Sequence, residues 1–174
     1  MKVLFLTIAL SLFSILQAQE SSPSEECFEG TYIVKAIVID SEFLEKHAPK
    51  EMSPLTITRL SYDDLEAKFT INQNGMCEEI KLKLEKTNNP GLFSVDESNN
   101  QILIEKASVR DHWLLLGEGE IHGSQVRVAK LVGPDEEENP KAFEDYKKFV
   151  RLTGFNEDKI KIPGQVEACT PEHD

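Results

Sequence analysis

Three groups of residues in this chain could do chemistry. The first is Cys27, Cys77 and Cys169. In an oxidising compartment one pair would close and one thiol would be left over, and the residues alone leave all three pairings open. The second group is His47, His112, His122 and His173, which show no metal-ligand spacing and no cysteine neighbour in motif. The run Asp135-Glu136-Glu137-Glu138 lacks the spaced ligands of a calcium loop and reads as a solvated helix start. There is no Gly-x-Ser-x-Gly, phosphate loop or dinucleotide fingerprint. No catalytic residue, metal or cofactor is therefore expected. The third candidate is Lys130, which shares a strand face with Val126 and Val128. If those valines point into an apolar interior, the lysine follows them and needs an anionic partner or a shifted pKa. The opposite parity, with Arg127 and Ala129 inward and Lys130 solvated, also fits the pattern.

The elements that would position these residues are mostly strands. Gly30 to Asp40 is rich in Ile and Val. Period-two alternation marks Leu55–Thr58, Leu65–Ile71 and Ile80–Glu85, and Gln101–Ala107, Trp113–Ile121 and Val126–Val132 continue it. Turn signals stand at Asn74-Gly75, Asn89-Pro90-Gly91, Ser98-Asn99-Asn100, Arg110-Asp111 and His122-Gly123-Ser124. Eight short strands with tight connections fit an up-and-down barrel or a sandwich, and only the barrel removes its own edges. After Gly133 the period changes. Asn139 is an N-cap, Pro140 suits the first helical position, and Phe143, Tyr146, Phe149, Val150 and Leu152 recur at helical spacing up to Gly154. Ile160–Pro163 reads as a short ninth strand, followed by a tail with little apolar content except its Cys169 anchor.

Residues 1–18 read as a secretory signal, with Lys2 ahead of an apolar Val3–Leu16 and a cleavage position after Ala18, leaving a domain over 19–174. The apolar stretch is short for a bilayer span, so no membrane insertion is expected. The net charge of −12 becomes one unit more negative without Lys2 and disfavours nucleic acid and anionic lipid. The sequence carries no Asn-x-Ser/Thr sequon. A secreted, extracellular protein follows.

Taken in order, Gly30-Thr31-Tyr32, Asp64-Leu65-Glu66-Ala67-Lys68, Leu84-Glu85-Lys86-Thr87, Asp111-His112-Trp113, Glu118 to Gly123 and Lys130-Leu131-Val132-Gly133 resemble the lipocalin family over nearly the whole mature chain. They are most similar to tear and von Ebner's gland lipocalins and marsupial late lactation proteins. The resemblance implies an all-β fold: an eight-stranded antiparallel up-and-down barrel with one C-terminal helix on its flank. It implies a Cys77–Cys169 disulfide, which leaves Cys27 free and able to link two copies of an otherwise monomeric or weakly dimeric protein. Two positions depart from the family: Tyr32 stands for its usual Trp, and Pro134 for the Arg that stacks on that Trp. The cation–π pair of the family is thus absent as a pair.

Alternation alone leaves a solid core and a cavity equally open, and the resemblance favours a cavity. The expected ligand-binding residues are Val34, Ala36, Leu55, Ile57, Leu65, Phe69, Ile71, Leu82, Leu84, Trp113, Leu115, Val126, Val128 and Lys130. Gly117 and Gly119 would keep space. The inward Lys130 is supported by the likeness to tear lipocalins. The function implied is carriage of small apolar molecules such as fatty acids, retinoids and odorants. Cysteine-protease inhibition, a protective role and a mainly nutritive milk role are the alternatives. The enzymatic lipocalin, a prostaglandin-D synthase, uses a cysteine on its second barrel strand, and Leu55–Leu60 has none.

Overall fold

Alternating residues give each strand one apolar face, and that face is buried by curling the sheet on itself. A computed structural model describes residues 27–172. The proposed signal segment and His173 lie outside them. The barrel strands are β1 (Gly30–Asp40), β3 (Leu55–Arg59), β4 (Leu65–Gln73), β5 (Met76–Lys86), β6 (Leu92–Val95), β7 (Gln101–Lys106), β8 (Trp113–Ile121) and β9 (Ser124–Gly133). They pair antiparallel in that order, and β9 returns to β1 to close the ring. The tight hairpins fall where the turn chemistry placed them. Asn74 (φ 54°) and Gly75 (φ 79°) join β4 to β5, and His122 (φ 50°) and Gly123 (φ 80°) join β8 to β9. Left-handed conformations at both central residues match the twist of the strands they connect.

The flanking helix α2 spans Pro140–Leu152, with Asn139 accepting a hydrogen bond from the Ala142 amide. It lays Ala142, Tyr146, Phe149 and Val150 on the outer barrel wall, against Leu114, Leu116, Ala129 and Leu131. The Tyr146 hydroxyl donates to the Ala129 carbonyl at 2.8 Å. Burial raises the pKa of that phenol far above its usual range. Leu152, grouped with the helix's buried face by spacing, is 87% exposed because the helix ends there.

β1 departs from simple alternation. Val34 pairs with Val132 but Ala36 pairs with Leu131, so Lys35 is an extra residue in a β-bulge. The bulge inverts parity midway along the strand. Tyr32 and Val34 join the inner cluster, whereas Ala36 and Val38 face α2. The expected lumenal placement of Ala36 is therefore overturned.

Two small elements differ from the sequence reading. A helix α1 (Glu42–His47), capped by the Ser41 hydroxyl, lies in the long β1–β3 connection. The short ninth strand falls later than Ile160–Pro163. It is β10 (Gly164–Gln165), which pairs in parallel with β2 (Glu51–Met52), and Lys161 makes only an isolated bridge to Ile37. The tail is anchored by the Cys77–Cys169 disulfide, with a Cα–Cα distance of 5.9 Å, and Cys27 is free and exposed.

Candidate functional site: the barrel lumen

The inner faces enclose a cavity of about 310 Å³. The barrel end beneath it is closed by aromatic rings, of which Phe28 lines the cavity. The Phe28 ring lies 4.9 Å from Tyr32 and 5.2 Å from Trp113, centroid to centroid. All three are buried, and the Tyr32 hydroxyl donates to the Glu29 carbonyl at 3.0 Å. This trio closes the barrel end without the Trp–Arg stack that Tyr32 and Pro134 replace. Outside the floor, the side chains of Lys35 and His112 pack against Gly133, where a Cβ would come within 2.8 Å of both. The close approach requires a glycine there.

Above the floor the wall is mainly aliphatic, with Asn100, Gln101, Glu118 and Glu120 also on the lining. Leu55 and Ile57 come from β3, Ala67 and Phe69 from β4, Leu82 and Leu84 from β5, Leu115 from β8, and Val126, Val128 and Lys130 from β9. Nine of the residues expected at the site thus line one cavity. Val34, Leu65 and Trp113 are buried in the inner cluster but lie outside the cavity wall. Ile71 is half-buried further along β4, also outside that wall.

Gly117 and Gly119 play different parts. A Cβ on Gly117 would find only the Val128 carbonyl at 3.9 Å, so this glycine does leave space. At Gly119 a Cβ would collide with Asn100, 2.4 Å away. Asn100 Oδ1 accepts from the Glu120 amide at 3.3 Å, so the second glycine admits the β6–β7 loop rather than ligand volume.

Lys130 pairs across the sheet with Leu115 on one side and Ile37 on the other. It lines the cavity, and among the described residues no hydrogen bond or ion pair holds its ammonium. Burial alone pushes its pKa below the ordinary value. Arg127, the alternative inward residue, lies on the outer wall. It donates to the Thr153 carbonyl at 2.6 Å and sits 4.3 Å from the centre of the Phe155 ring. Parity is therefore resolved by the partners available outside: the permanent guanidinium has them, and the lysine faces an apolar interior.

Three contributors carried little signal in the sequence. Phe28 precedes the first regular strand, so no alternation includes it. Leu44 reaches the mouth from α1, a helix too short for periodicity. Val95 belongs to the four-residue β6, bounded by turns.

The chain matches the model of the lipocalin / cytosolic fatty-acid binding protein family over residues 29–167. It is 70% identical to late lactation protein B of Notamacropus eugenii over 173 residues, covering 99% of each chain. It is 39% identical to lipocalin-1 of Sus scrofa over 175 residues, 98% of each. Among solved structures it resembles the siderocalin Ex-FABP with a TM-score of 0.68 at 16% identity, over 79% of this chain and 97% of that one. The chain belongs to the lipocalin family, whose members are in general binding and transport proteins for small hydrophobic ligands.

Proposed function

We propose that this lipocalin is a secreted carrier that draws an apolar chain into its lumen and prefers an acidic head group, held by Lys130. The observation that carries the reading is a lysine without a hydrogen bond or ion pair among the described residues, facing a cavity walled mainly by aliphatic and aromatic groups, with Asn100, Gln101, Glu118 and Glu120 also on its lining. Apolar walls supply affinity through burial but little directional discrimination. A range of fatty acids and retinoids should therefore be accepted. The Lys130 ammonium, the one cation among the described residues of the lining, separates acids from neutral ligands of the same length. The names of the late lactation relatives support release in milk, and the disulfide supports an oxidising compartment.

Trp113 is the only tryptophan in the chain and stands in the floor of the barrel, so its fluorescence reports on the lumen. Titration with palmitic acid, hexadecanol and retinol should give saturable changes. Absence of saturation with all three would reject carriage. Sequencing the N-terminus of protein released from mammalian cells tests cleavage after Ala18.

A further inference from the structure

The lumen is not the larger cavity. A second one, of about 700 Å³, lies on the outer wall near the closed end, between β1, the start of α2 and the C-terminal segment. Its apolar wall is Ile33, Leu131, Phe143, Ile162 and the prolines that flank them. Ile162 is 68% exposed, an isoleucine presented to solvent at the cavity edge. Among the polar groups, acceptors without an internal donor predominate. Glu136 and Glu138 bring two carboxylates. The single ammonium, Lys35, already meets His112 Nε2 at 3.2 Å and donates to the Glu137 carbonyl at 2.5 Å. Gln165 contributes an acceptor without a donor. Its Nε2 donates to the Val34 carbonyl at 2.8 Å, while its Oε1 is buried and unbonded among the described residues. A buried acceptor left unmatched costs free energy that an arriving donor recovers.

We propose that this flank cavity is a second binding site, selective for an amphiphile with an apolar chain and an ammonium head. Its volume falls in the range of small-molecule sites, about 300–1,000 Å³. Surplus carboxylate and an unmatched acceptor call for a cationic donor, and the acidic surface as a whole concentrates cations. The chain's own segment before Cys27, Gln19 to Glu26, is acidic and without large apolar residues, so its chemistry does not suit the cavity. The two sites then have opposite preferences: the lumen offers a cation to acids, and the flank offers acceptors to amines.

Dodecylamine, dodecanol and dodecanoic acid, each below its micelle concentration, are titrated into the purified protein with methyl resonances as the readout. Dodecylamine should shift Ile33, Leu131 and Ile162, and should do so whether or not dodecanoic acid has been added first. Ile162→Lys, at an exposed position that leaves the fold intact, should weaken amine binding at least tenfold. Glu138→Gln should weaken it severalfold, and neither change should alter the lumenal shifts caused by the acid. Failure of the acid to bind would count against the lumenal reading alone, since the two sites report through different methyls. The flank site is overturned if dodecylamine moves only the lumenal Leu115, Val126 and Val128, if it shows no saturation, or if dodecanol binds the flank as tightly. Self-association that Ile162→Lys abolishes, without amine binding, would assign the cavity to a second copy and also overturn it.

Discussion

Lys130→Met keeps the length and most of the volume of the side chain and removes its charge. Because no hydrogen bond or ion pair among the described residues holds the ammonium, the change removes no such contact, and its effects isolate the charge itself. A charge-assisted hydrogen bond contributes on the order of 1.5–3 kcal/mol. Loss of that contact should weaken palmitic acid by roughly tenfold to a hundredfold and leave hexadecanol nearly unchanged. The same variant has a signature without ligand. Burial lowers the folded-state pKa of Lys130 below its ordinary 10.5, so between those two values the unfolded chain binds more protons than the folded one. Stability therefore rises with pH across that window, and the full penalty of the buried charge is present below it. The methionine variant should be more stable than the parent at neutral pH. Exchanges of buried charged groups for apolar ones range from neutral to about 4 kcal/mol stabilising, and each kcal/mol gained shifts Tm by roughly 2–4 °C at this size. The advantage should shrink as pH rises toward 10.5. Fluorescence titration at Trp113 and thermal melts from pH 7 to pH 10 measure both effects. Equal losses for acid and alcohol, or a variant less stable at every pH, would refute the inward, unpartnered lysine.

Removing the Cys77–Cys169 link by Cys77→Ser with Cys169→Ser should cost about 4–5 kcal/mol by the chain-entropy relation for a loop of about ninety residues, read from urea midpoints. A midpoint unchanged from the parent would show that the tail contributes nothing to stability. Ala36→Leu places extra volume beneath α2 rather than in the lumen, so it should destabilise by about 1–3 kcal/mol while leaving ligand affinity intact. Reduced affinity with unchanged stability would mean that the β1 bulge is misplaced. Gly117→Val adds methyl groups where the backbone leaves room, so it should preserve the melting temperature and weaken long-chain ligands severalfold. Unchanged binding of the longest ligand would show that the lumen does not extend past Gly117.

Legibility from sequence followed the range of each signal. Period-two patterns are local, and they marked the barrel strands apart from the four-residue β6 and brought the cavity residues of β3, β4 and β5 to one face, while turn chemistry marked the hairpins at Asn74-Gly75 and His122-Gly123. The capped helix was equally local, with Asn139, Pro140 and the Phe143–Val150 spacing sufficient to define it. The missed features depend on a second strand or a distant loop. The bulge at Lys35 is visible only in its register against β9, because Val34, Ala36 and Val38 remain evenly spaced in sequence while their faces invert. Gly119 resembles Gly117 until Asn100, from another hairpin, occupies the space that its missing Cβ leaves.

The orientation of Lys130 lies between these cases. Two parities were open along β9, and the strand itself does not decide them. Arg127 settles the choice from outside the strand. Turned outward, it reaches the Thr153 carbonyl, the Phe155 ring and the carboxylates of Asp40 and Glu118 at 3.6 and 3.9 Å. Turned inward, it would carry a permanent charge into an aliphatic cavity, where a lysine can instead give up its proton. The cost of an inward lysine is thus set by the gain of an outward arginine one residue earlier. A binding group without a polar partner among the described residues is held in the lumen by contacts made on the opposite face of the same strand.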